Sequence, residues 1–207
     1  MSTLLSPPLL SQADSKICAL LEAAVGVFAR FGFRKASMDD VARAAGVSRQ
    51  GLYISFASKE ELFRSALTHS LRNQLAAATA ALSRAGDNLE TRLIGACVCW
   101  SGRFVGPLGA DASDLMCAST SLAVKTLTDY ECQFEAALAR ALSASPMAQA
   151  CAAAGLEIID LARALHATAR GLKQSSKTQD EFVKGMTAAV RMICLPLNQS
   201  NQKGFKL

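Results

Sequence analysis

The chain has 207 residues, 51% of them hydrophobic, and a formal charge of +5. That length buries roughly two-thirds or more of the unfolded surface in one or two domains. No uninterrupted apolar run approaches the ~20 residues that a membrane helix needs. The mild basicity hints at an anionic partner, yet residues 1–64 carry a net +2 and the remainder +3. Charge is not concentrated at one end, so by itself it does not identify a nucleic-acid binder.

Residues 1–14 lack basic residues ahead of their short apolar patches, and Pro7-Pro8 interrupts them. The segment reads as a flexible arm and not as a signal peptide, and a cytoplasmic protein is the expectation. Ile17, Leu21, Ala24, Phe28 and Phe31 then mark one face of a helix from Ser15 to Phe31, with Gly32 at its end. Ser37 is a good N-cap with Asp40 three residues on, and Met38, Val41, Ala42 and Ala45 follow at helical spacing. Gly46 supplies the left-handed turn that stops this helix. Ser48 caps a second short helix whose inward residues are Leu52 and Phe56. Two short helices joined at a glycine, with the small Ala42 at their contact, describe a helix-turn-helix.

A longer helix is expected from Ser58, where Ser-x-x-Glu to Glu61 is a capping box, to near Leu82. Its first turns pack on the small core and its remainder leaves it, as a lever between two domains. Periodicity then predicts helices over 89–105, 113–125 and 128–144, with a break at 106–109. The small-residue run to Gly155 is ambiguous. Two strong helices close the chain, over 156–172 and 178–195, with Pro196 ending the last and a polar tail over 197–207. Nothing reads as a β-sheet, and there is no internal repeat. The fold class is all-α.

In the helix pair 156–195, Ile158, Ala162, Leu165, Ala169 and Leu172 step by four and three, as do Phe182, Met186, Ala189 and Ile193. This is the seam spacing of packed helices, and two such hairpins about a two-fold axis make a four-helix bundle. These residues are therefore the expected homodimer interface, the alternative being that the same seams pack inside one chain.

The stretch from Ser15 to Leu67 resembles the DNA-binding domain of the TetR family of bacterial repressors. The resemblance rests on F-x-R-x-G-F at 28 to 33, the S-M-D-D-V-A run, A-G-V-S, L-Y-x-x-F and S-K-E-E-L-F. It implies a helix-turn-helix DNA-binding domain at 15–60 and a larger helical effector-binding and dimerisation domain at 61–196. The expected function is that of a dimeric transcription regulator, a repressor that binds a palindromic operator and is released by a small molecule. No cofactor, metal, membrane or enzymatic activity is implied.

The N-terminal residues of a recognition helix read base edges in the major groove. Here these are Arg49 for guanine, Gln50 for adenine, Gly51 for close backbone approach and Ile54 for a thymine methyl, with Ser48 as the cap. Tyr53, Lys59 and Ser37 match family positions that grip the backbone. Ser55, also a DNA-contact candidate, stands where the family usually has His or Tyr, whose longer side chain commonly reaches a phosphate; the short serine puts that one backbone contact in question. Trp100, Phe104, Met116, Tyr130, Phe134 and His166 are the effector-pocket candidates, each also readable as core packing. His166 interrupts an apolar helix, and a hydrogen-bonded core histidine is its plainer role.

Other classes of function are weaker. The seven cysteines lack ligand spacing, and only Cys97 and Cys99 form a close pair. Those two point to different sides of a helix and have no basic neighbour to activate a thiol sensor. A helical module without DNA binding, which Ser55 permits, is the other rival. Two histidines in separate helices and no nucleophile elbow offer no hydrolase set.

Overall fold

A computed structural model of the chain describes residues 12–102, 105 and 121–203. Among them every regular element is a helix. In order these are α1 (Gln12–Lys35), α2 (Met38–Ala45), α3 (Arg49–Ser55), α4 (Lys59–Leu82), α5 (Leu89–Ser101), α6 (Ser121–Ser143), α7 (Met147–Ala153), α8 (Ile158–Ser175) and α9 (Gln179–Lys203). The chain divides into two compact units, Met1–Ser70 and Leu71–Leu207.

In the first unit α1 packs on α2 and α2 on α3. Leu21, Ala24 and Phe28 of α1 are buried, as their spacing predicts. Ile17 and Phe31 are not: they are 39% and 43% exposed. The buried run of α1 begins only at Leu20, beyond Ile17. Phe31 adjoins Gly32, whose φ of 72° and ψ of 161° break the helix, and it lies 5.2 Å from the Arg30 guanidinium instead. Only glycine adopts that conformation freely. The reversal returns Phe33 to a cluster in which it lies 5.0 Å from Phe63, while Phe28 meets the same ring edge-on at 5.2 Å. The α4 cap is displaced from the expected box. Ser58 Oγ accepts from the Glu61 amide at 3.1 Å, but the Glu61 carboxylate accepts from Ala57 and not from Ser58, at 2.8 Å.

In the second unit α6 packs on α8, α9 on both α5 and α8, and the short α7 on α6 and α9. Phe134, Leu138, Leu142, Leu165, Phe182, Met186 and Val190 form its fully buried centre. Three predicted boundaries differ. The helix begun at Leu89 stops at Ser101, with Gly102 as its cap. The break between Lys125 and Thr128 does not occur, because the Thr128 hydroxyl donates to the Val124 carbonyl at 3.1 Å within a continuous α6. A threonine bonded back in this way continues a helix; it does not cap a new one. Finally, α9 runs through Pro196 to Lys203 and so includes much of the expected tail. Proline forfeits one donor, but its fixed φ near −65° is compatible with the α region. The first part of the helix expected over 113–125, residues 113–120, lies outside the described residues.

The proposed dimer seam is corrected here. Ala162, Leu165, Ala169, Phe182 and Met186 are completely buried within a single chain. Periodicity correctly marks them as packed, but what packs on them is the chain's own core. The small residues serve the same contact: a Cβ on Gly185 would lie 2.6 Å from a methyl of Leu172. Ile158, Leu172, Ala189 and Ile193 are only half-buried.

Candidate nucleic-acid interface

The geometry at the head of the molecule is set by caps that are local in sequence. Ser37 Oγ accepts from the Asp40 amide at 3.1 Å, and the Asp40 carboxylate accepts from the Ser37 amide at 3.0 Å and its hydroxyl at 2.6 Å. Those hydrogen bonds hold the Asp40 carboxyl below its ordinary value. Gly46 ends α2 with φ 66°, and the next amide, Val47, donates to Ala42 at 3.0 Å. Ser48 Oγ then accepts from Gly51 at 3.0 Å and starts α3.

This sequence of caps fixes which face of α3 is buried. Leu52 is 0% exposed and Phe56 is buried beside it, whereas Arg49, Gln50, Tyr53, Ile54 and Ser55 face solvent. Ile54, at 81%, is among the most exposed large apolar residues described. An isoleucine held in water on a structured helix contributes nothing to the core, so its face is free for a partner.

The backbone-gripping candidates divide. Tyr53 is 42% exposed with its ring 5.7 Å from the Arg49 guanidinium, so it is placed for both packing and contact. Ser37 has its hydroxyl and amide taken by Asp40; a phosphate there would be met by the first-turn amides of α2, which lack intrahelical acceptors. Ser55 Oγ donates back to the Gly51 carbonyl at 3.3 Å. Gly51 has a structural reason as well, since a Cβ there would sit 3.1 Å from the capping Ser48 oxygen.

Lys59 is engaged differently from expectation. Its ammonium donates to the carbonyls of Phe33, Ala36 and Arg34 at 3.0, 3.1 and 3.5 Å and lies 4.6 Å from the Phe33 ring centroid. A cation at the end of α1 satisfies carbonyls that have no helical donor and complements the helix dipole. In this state it clamps α1 to the start of α4, and a phosphate would have to compete for it. Sequence reading missed this role because the partners are 23 to 26 residues away.

Three of the effector candidates, Trp100, Phe134 and His166, form a buried cluster in the second unit. Trp100 and Phe134 are buried and stacked at 4.8 Å, and His166, 2% exposed, meets both rings edge-on. Trp100 Nε1 donates to His166 Nε2 at 3.2 Å, and Glu135 Oε1 lies 2.9 Å from His166 Nδ1. An indole N–H can only donate, so Nε2 is the acceptor and Nδ1–H donates to Glu135. Both ring nitrogens are satisfied, so His166 is core and not an open ligand contact. Tyr130 is half-buried. Phe104 and Met116 lie outside the described residues.

Cys97 is fully buried, and burial pushes its thiol up to about 12. Such a thiol behaves as a small hydrophobe and not as a redox nucleophile. Cys99 is half-buried, and Cys132 is exposed. Among the described residues no group of three or more His, Cys, Asp and Glu gathers in a metal-holding arrangement, and no helix is long and apolar enough to cross a membrane.

Residues 20–66 match the family of bacterial regulatory proteins of the tetR family. Over 51 residues the chain is 47% identical to an HTH-type transcriptional regulator, YfiR, of Bacillus subtilis, an alignment that spans 25% of each protein. The similarity in fold extends much further. The reduced form of NemR from E. coli superposes with a TM-score of 0.69 over 86% of this chain and 96% of that one, at 17% identity. FadR from Bacillus subtilis, solved with stearoyl-CoA, gives 0.64 over 86% and 97%, at 14% identity.

Proposed function

We propose that the chain, whose residues 20–66 match the tetR family of bacterial regulatory proteins, is a sequence-specific DNA-binding transcription regulator of that family. The observation that carries the reading is the exposed face of α3, with Arg49, Gln50 and Ile54 in solvent above a fully buried Leu52. One recognition helix makes few base contacts, so the protein acts as a homodimer on two half-sites about 34–36 Å apart, a palindromic operator. It represses from that operator in the cytoplasm and is released when a small molecule binds the helical domain.

Burial moves the proposed dimer surface away from the seam first expected. Ala188, Met192 and Leu195 step by four and three along the solvent side of α9, with Met192 71% and Leu195 48% exposed. Large apolar side chains on one exposed stripe of a helix are what a two-fold helix pairing would cover.

Nuclease footprinting on the DNA flanking the gene tests the reading. Protection of a symmetric site by the wild-type chain, lost in Arg49→Ala, is the expected result. Uniform protection with no boundary would leave only non-specific DNA binding.

A further inference from the structure

We propose that Asp39 is a positioning residue for base readout, holding the Arg49 guanidinium so that one edge is presented to a guanine. The inference rests on the reading of α3 as the base-reading helix. Asp39 stands in the first turn of α2 and Arg49 in the first turn of α3, ten residues apart. Arg49 Nη1 donates to Asp39 Oδ2 at 3.0 Å, and the guanidinium carbon lies 5.7 Å from the Tyr53 ring centroid. One partner fixes the planar group from its side and the other from its face.

A guanidinium carries five N–H donors in a rigid fork. With Nη1 engaged, the edge formed by Nε and Nη2 keeps the two parallel donors that match guanine O6 and N7. Unrestrained, the same side chain samples many rotamers and meets bases and phosphates alike. Asp39 adds only modestly to the fold, as an exposed acid in the first turn of α2. The two side chains are 65% and 48% exposed, so their ion pair contributes little to stability. The capping of α2 belongs to Asp40 and Ser37. A carboxylate close to a polyanion also weakens its attraction for every sequence. Asp39 therefore lowers affinity for DNA at large while sharpening the choice of base.

The test compares the wild-type chain with Asp39→Asn, Asp39→Glu and Arg49→Ala. Three duplexes are used: the sequence the wild type selects from a random pool, the same sequence with the Arg49-dependent guanine replaced, and random DNA. For Asp39→Asn, discrimination at that guanine should fall by about tenfold, within what one well-made base contact is worth. Its affinity for random DNA should rise, and its thermal unfolding should match the wild type. Asp39→Glu restores the charge on a longer stem and should recover part of the discrimination. If Asp39→Asn retains full discrimination where Arg49→Ala abolishes it, base readout stands and the role of Asp39 falls. If Arg49→Ala loses specific and random DNA equally, base readout fails, and the positioning role fails with it.

Discussion

Replacing His166 by Leu isolates the hydrogen-bonded part of the second unit's core. The side chain is 2% exposed, and leucine has a similar volume, so the cavity contribution is small. What changes is polar. Trp100 Nε1–H, held at 3.2 Å from His166 Nε2, is left without an acceptor, and an unsatisfied buried donor costs about 1–3 kcal/mol. Glu135 loses less, because its side chain is 21% exposed and Arg163 lies 3.7 Å away. The expected destabilisation is therefore about 1–3 kcal/mol in urea unfolding. Trp100 is the single tryptophan of the chain, so its fluorescence reports this cluster directly. Trp100→Phe removes the donor, and the double variant should cost less than the two single changes together. Coupling of about 0.5–3 kcal/mol is expected between contacting residues. A His166→Leu protein within about 0.5 kcal/mol of wild type would show that the bond does not support the core.

Lys59→Met keeps the aliphatic stem but removes the three carbonyl contacts, and should destabilise the first unit by about 1.5–3 kcal/mol, the worth of hydrogen bonds to a charged group. Chemical denaturation of the apoprotein checks it, and an unchanged midpoint would return Lys59 to a purely phosphate-binding role. Asp40 gives a pH signature: its folded-state value lies below the ordinary 3.8, so its contribution is fully present above that pH and is lost as pH falls through the folded value. Asp40→Asn should thus be less stable than wild type at neutral pH, with the difference closing in acid. A difference independent of pH would exclude the carboxylate as its source.

The caps were legible because their chemistry lies within a few residues. Ser37 with Asp40, Gly46, and Ser48 with Gly51 each complete their bonds inside one turn, and together they dictate that Leu52 faces in and Ile54 out. Longer-range assignments were not. The stepping of Ala162, Leu165 and Ala169 says that a face is buried, but the same pattern serves a dimer or the chain's own core. Thr128 reads equally as a cap or as a helix residue bonded to Val124. Lys59 carries a motif position, yet its carbonyl partners follow from the reversal at Gly32. The Asp39–Arg49 pair had a readable signal, opposite charges in the first turns of two helices joined by a glycine. Only the angle between α2 and α3 brings them together.

In vitro selection of DNA bound by the full chain tests sequence-specific, two-fold recognition most directly. The account predicts recovery of an inverted repeat whose half-sites are spaced about one helical turn, or a multiple of it, from centre to centre. It further predicts that Arg49→Ala relaxes one base position in each half, at a cost of about 1–3 kcal/mol. A selected pool no different from the starting one, with affinity set by salt alone, would contradict it.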